Sequence, residues 1–220
     1  MATSAASRDR TSILPGTLAG TAALRIGGSL MVLAGTIILL GIISAESLYP
    51  VPYSTGGNTI SDLGGTLPAD GGIVYQPSAT IFDVSMIVIG LLVIVAGALV
   101  QRGFGRRSVT IPIIVLGIGA LGVGVFPGNT EPHPLFAMTT FVSGGIAAVT
   151  GSRVTGGPFR WLSIALGGVS LLTLLSYVLL GDGSPFAVLG LGGLERWIVY
   201  PVAIWVIAFG GYVAGRATEA

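Results

Sequence analysis

The chain has 220 residues, of which 52% are hydrophobic and only 9% charged, with a formal net charge of +1. Soluble domains carry about 25% charged residues, so a soluble globular domain and a disordered chain are excluded, as is a nucleic-acid binder with its basic patch. The ten basic residues are all arginine, cysteine is absent and His133 is the single histidine. That removes lysine Schiff bases, thiolate nucleophiles, disulfides, iron–sulfur clusters, thiolate zinc sites and three-histidine zinc sites.

Residues 1–22 are small and polar without periodicity, which predicts a flexible N-terminal tail ahead of a transmembrane domain over 23–220. A helix crossing about 30 Å of hydrocarbon needs about 20 apolar residues. Six segments qualify, at 24–45, 79–101, 109–126, 135–152, 160–180 and 194–215. The fold expected is therefore all-α, a compact bundle of six transmembrane helices. The first segment is read as a retained helix, because over twenty polar residues precede it and its apolar run exceeds a signal peptide's core.

Arginines fix the expected orientation. Arg8, Arg10, Arg25, Arg102, Arg106, Arg107, Arg153, Arg160 and Arg216 all fall on one side of a six-helix arrangement. The other side carries Glu46, Asp62, Asp70, Asp83, Glu131, Asp182 and Glu195, with Arg196 its one base. The positive-inside rule then places both termini in the cytoplasm and the acidic side outside, in a cell membrane.

Glycines recur at Gly28 and Gly35, Gly90 and Gly97, Gly117 and Gly124, and Gly211 and Gly215. Small residues on one stripe let helices approach closely, either within one bundle or in a homodimer. Trp161, Trp197, Tyr200 and Tyr49 sit where an aromatic belt would lie. Pro201 is expected to kink the last helix, and Pro112 to sit in the first turn of the third.

The outer connection between the first two helices, 46–78, is long for a bundle and marks a functional or partly folded segment. Within it, Asn58-Thr59-Ile60-Ser61-Asp62-Leu63-Gly64 reads as a short helix, with Thr59 and Asp62 close to a capping box. Asp62 either caps that turn or projects toward the bundle mouth as a ligand or acid. Asp83 lies a turn inside the second helix, where it favours the positive helix end or needs a partner. Arg196 either snorkels to lipid phosphate or forms a forked pair with Asp62 or Asp83. His133, in a turn-rich loop, pins the fourth helix or serves as a ligand.

Asn58, Ser61, Asp62, Asp83, Glu131, His133, Glu195 and Arg196 thus make one candidate polar cluster on the outer face. Carboxylates with one imidazole would suit Ca²⁺ or Mg²⁺, but no metal-ligand spacing is present, and neither a metal nor a cofactor is assigned. The spans hold Ser and Thr and no deep ionisable group, which weighs against ion-coupled transport.

Three stretches carry a resemblance: Ile60-Ser61-Asp62-Leu63-Gly64, then Gly122-x-Gly124-x-Phe126-Pro127 followed by His133, then Glu195-Arg196. Together they resemble the family of unknown function numbered 998, from about residue 24 onward. The resemblance implies six membrane helices and an archaeal or bacterial source, and it implies no activity. The function expected is a non-enzymatic membrane domain binding a lipid or a protein partner at its outer face. An enzyme acting on a lipid headgroup or isoprenoid phosphate is the first alternative, and a small-molecule transporter or channel the second.

Overall fold

The computed structural model describes residues 18–216. Six helices follow in chain order: α1 Leu18–Ser47, α2 Ser78–Phe104, α3 Arg107–Val125, α4 His133–Gly151, α5 Gly157–Leu180 and α6 Gly190–Arg216. All six are long and apolar enough to cross a membrane, and no strand occurs among the described residues. Hydrocarbon offers no partner to a backbone N–H or C=O, so apolar runs of this length close their hydrogen bonds internally as helices. The shortest, α3 and α4, have 19 residues each. At 1.5 Å per residue that is about 28 Å, close to a bilayer core.

Each helix begins somewhat before its apolar run, because a helix continues into the interface where hydropathy has already fallen. α1 begins at Leu18, so the last part of the expected 1–22 tail is helical, and residues 1–17 lie outside the described residues. With α3 starting at Arg107, Pro112 falls in its second turn and not its first, inside the helix. α6 runs through Pro201 as one helix.

Each helix packs on the next in chain order, α1 closes the ring against α6, and α4 also reaches α6. Glycines set the closest approaches. A Cβ on Gly90 would lie 2.5 Å from the Leu121 nitrogen of α3, and one on Gly28 would run into the Gly210 carbonyl of α6. Gly211 and Gly215 differ, since a Cβ there meets nothing within 4 Å. Trp205 and Phe209 are fully buried and stacked at 4.7 Å, and Trp205 donates its indole N–H to Ser163 Oγ at 3.2 Å. Leu40, Leu91, Leu172 and Leu179 face outward, as a lipid-facing surface requires, and Trp161 and Trp197 are exposed.

The helices alternate in direction, so the connections 48–77, 126–132 and 181–189 gather at one end of the bundle. Arg102, Arg106, Arg107, Arg153 and Arg160 lie at the other.

Candidate functional site

Segment 48–77 folds over one end of the bundle as a cap. Local chemistry shapes its middle. The Thr59 N–H donates to Asp62 Oδ2 at 3.0 Å, and the Asp62 N–H donates to Thr59 Oγ1 at 3.1 Å. This reciprocal pair is a capping box closed by Asp, and it holds the short 3₁₀ turn Ser61–Leu63. Asn58 Nδ2 adds a longer bond to Asp62 Oδ2 at 3.4 Å. Gly64 follows because the Asp83 carboxylate occupies the space where a Cβ would stand. Tyr49 packs its ring 5.0 Å from both Tyr53 and Tyr75.

Two consecutive residues of α6 hold this cap down. Glu195 is 9% exposed and Arg196 8%. Glu195 Oε2 accepts the Ile60 N–H at 2.5 Å, Glu195 Oε1 accepts the Ser61 hydroxyl at 3.0 Å, and the Ser61 backbone N–H also bonds the carboxylate. Arg196 takes the acceptors. Its Nη1 donates to the carbonyls of Thr55 at 2.8 Å and of Asn58 and Gly192 at 2.9 Å. Its Nη2 donates to Tyr53 Oη at 2.8 Å and to Glu46, with which it forms an ion pair. The Tyr53 phenol in turn donates to the Thr59 carbonyl at 2.7 Å. Burial pushes that phenol well above its usual range, against the pull of the guanidinium, so it acts as a neutral hydroxyl.

His133 joins the other side of the cap. A carbonyl can only accept, so His133 Nδ1 donates to Phe126 O at 2.7 Å. Its Nε2 meets Ser61 Oγ at 3.0 Å. Ser61 therefore stands between His133 and Glu195, tying the ends of α3, α4 and α6 to the cap. The hydroxyl has one proton and two partners, so both contacts are hydrogen bonds when Glu195 or His133 carries one further proton.

The expected single cluster divides. Ser61, His133 and Glu195 come together, and Arg196 stands beside them with Glu46. Asn58 and Asp62 serve the capping box. The forked pair of Arg196 with Asp62 or Asp83 does not form. Asp62 is committed to its own turn, and the packing of α1 on α6 places Glu46 under the guanidinium instead. Asp83 Oδ1 is buried beside Gly64 without a hydrogen-bond partner among the described residues. Glu131 is exposed on the α3–α4 connection. Among the described residues no three His, Asp or Glu side chains stand close enough to hold a metal.

Beneath the cap lies a cavity of about 80 Å³ at the centre of the bundle. Its lining is apolar (Ile38, Phe82, Met86, Leu116 and Val202 among others) except for Ser61 and Glu195 in the roof and Thr140 on α4. Thr140 gives its hydroxyl proton to the Phe136 carbonyl of its own helix at 2.8 Å. Ser61 is therefore both part of the clasp and part of the cavity wall.

Sequence reasoning missed Glu46 and Tyr53. A partial signal existed: Arg196 is the one base at an acidic end, so it must find an acid there. Choosing among them required knowing that α1 lies against α6.

Neither the curated proteins nor the solved structures contain a match to this chain. A family model described as "Protein of unknown function (DUF998)" does match, over residues 32–212. The match runs from within α1 to within α6 and includes the whole cap, Ser61, His133, Glu195 and Arg196. A six-helix membrane bundle closed by that cap is accordingly the form taken by this chain, which belongs to the DUF998 family.

Proposed function

We propose that the protein is a non-enzymatic binding domain of a cell membrane, which takes an apolar ligand or part of a lipid into the cavity beneath its cap. The observation that carries this reading is the cavity itself. It is lined by residues of α1, α2, α3, α4 and α6, Ile38, Phe82, Met86, Leu116 and Val202 among them, with Ser61 and Glu195 in the roof and the committed hydroxyl of Thr140 on α4. Apolar sites with a few convergent polar groups are the usual form of a small-molecule site. The arginines at the opposite end support a cytoplasmic position for both termini, with the cap on the outer face. Membrane lipids are the expected partners.

Native mass spectrometry of protein released gently from membranes tests this. A stoichiometric adduct is expected on the wild type and not on Ala120→Leu or Ala203→Leu, which fill the cavity without touching the clasp. An adduct retained by both folded variants, or none on the wild type, overturns the proposal.

A second reading, a lipid-processing enzyme, rests on the 3.0 Å contact of His133 Nε2 with Ser61 Oγ, the arrangement of a base beside a nucleophile. Acyl transfer also needs donors for an oxyanion. The nearest, the N–H groups of Ile60 and Ser61, are held by Glu195, which favours binding over catalysis. Covalent capture of Ser61 by a fluorophosphonate on the folded protein would reverse that preference. The transporter reading has no comparable observation behind it.

A further inference from the structure

The polar atoms of the cavity select its ligand chemistry, an inference that rests on the binding role proposed above. Among the described residues three polar side chains line the cavity, and their own protons are already committed. Thr140 donates to the Phe136 carbonyl, and Ser61 stands between Glu195 and His133, with a hydrogen-bond contact to each. The Ile60 and Ser61 N–H groups also bond Glu195. A ligand that brought an ester carbonyl, a phosphate or a carboxylate would find no free side-chain donor among the described residues that line the cavity; the unpartnered Arg196 Nε–H is not among them. A carboxyl oxygen, by contrast, has lone pairs to spare, because two oxygens offer about four acceptor sites. Glu195 Oε1 receives the Ser61 hydroxyl, Oε2 the Ile60 N–H, and the Ser61 N–H takes a third site, so about one acceptor site remains at the carboxyl that forms part of the roof.

Size narrows the class further. One water needs about 10–15 Å³ of such space, so about 80 Å³ accommodates roughly five to eight non-hydrogen atoms. Charge narrows it as well. Arg196 is already neutralised by Glu46, and a ligand carboxylate would face Glu195 with no cation free to balance it.

We infer that the cavity binds an apolar molecule, or the end of one, that carries a single hydroxyl, an alcohol or phenol whose O–H donates to Glu195. The hydroxyl is the smallest uncharged donor that satisfies the roof, while the rest of the ligand meets apolar walls and the already committed Thr140 hydroxyl.

A matched series in bilayer nanodiscs tests this: 1-hexanol, 1-methoxypentane, heptane and hexanoate, with affinity expressed per mole of ligand in the bilayer. Only hexanol can donate a hydrogen bond to the buried Glu195 carboxyl, so it should bind about tenfold more tightly than the ether or the alkane. Hexanoate should not bind, and Ala203→Leu should abolish hexanol binding. Geranylgeraniol in the same assay separates the sources: binding as tight as hexanol marks the hydroxyl end of a lipid alcohol, and its rejection marks a small free alcohol. Equal affinity for hexanol, ether and heptane, lost in Ala203→Leu, overturns the hydroxyl assignment and leaves the binding role standing. Preference for hexanoate likewise overturns the assignment. No saturable binding by any of the four overturns both.

Discussion

Glu195 and Arg196 are neighbours in α6, yet they hold opposite halves of the same loop's hydrogen-bonding capacity. The carboxylate takes backbone N–H groups at Ile60 and Ser61, and the guanidinium takes the carbonyls of Thr55 and Asn58. An acid followed at once by an arginine can do this because one is acceptor-only when ionised and the other donor-only. The guanidinium charge is balanced by Glu46, and the Glu195 carboxyl is held by hydrogen bonds alone.

Breaking the clasp at Arg196 should be severe. Arg196→Met leaves the part-buried Glu46 without its ion-pair partner and frees three carbonyls, and removal of one partner from a buried pair costs up to about 3–5 kcal/mol. Arg196→Lys should recover only part of this, because one ammonium cannot span the contacts now divided between two nitrogens. In thermal denaturation in detergent, adding Glu46→Gln to Arg196→Met should cost little more. Fully additive losses would show that the pair does not couple.

Asp62 has a different role, and its removal should be milder. Asp62→Ala opens the capping box at a cost of about 1 kcal/mol, and Asp62→Asn should retain most of the bond to the Thr59 N–H. The effects of Asp62→Ala and Arg196→Met should be less than additive if the turn presents Asn58 to Arg196. Limited proteolysis of segment 54–66 reads the local opening directly.

Glycine positions offer a paired control. A Cβ on Gly192 would run into the Asn58 carbonyl, whereas one on Gly211 meets nothing within 4 Å. Gly192→Ala should therefore lower stability by about 1–3 kcal/mol through overpacking under the cap. Gly211→Ala should stay within about 0.5 kcal/mol of the wild type in a monomer. A large loss at Gly211 with loss of a dimer on native gels would place a second copy on that face.

The Tyr53 phenol carries a pH signature. Its proton is held more tightly in the folded state than at the ordinary value of 10.0, so the unfolded chain releases its proton first as pH rises. The contribution of Tyr53 is fully present below about pH 10 and declines above it. Wild-type stability should therefore fall more steeply than that of Tyr53→Phe above about pH 10. Parallel curves would show that the phenol is not shielded.

The helices were readable because hydrocarbon imposes a length and a composition on each span, and both are visible in the run from Leu30 to Ile43 as plainly as in that from Ile87 to Val100. The capping box was readable for a related reason: Thr59 and Asp62 are three residues apart, and their bond depends on little else. Arg196 with Glu46 was not readable, because 150 residues separate them and only the packing of α1 on α6 joins them. His133 lay between these cases. Its turn-rich setting suggested that it pins α4, while its link to Ser61, 72 residues distant, depends on the cap being folded. The division of one polar cluster into a clasp, a capping box and a solitary Asp83 is likewise a matter of side-chain geometry that composition cannot express.

The clasp also imposes an order on biogenesis. The cap is synthesised directly after α1, but the side chains that close it lie 134 to 141 residues further along, at Glu195 and Arg196. Until α6 inserts, the N–H groups of Ile60 and Ser61, the carbonyls of Thr55 and Asn58 and the Glu46 carboxylate must all be satisfied by water. A nascent chain with five spans therefore displays an open, hydrated loop, and one with six does not. Closure of the cap therefore distinguishes a chain whose sixth helix is in place from one that still lacks it.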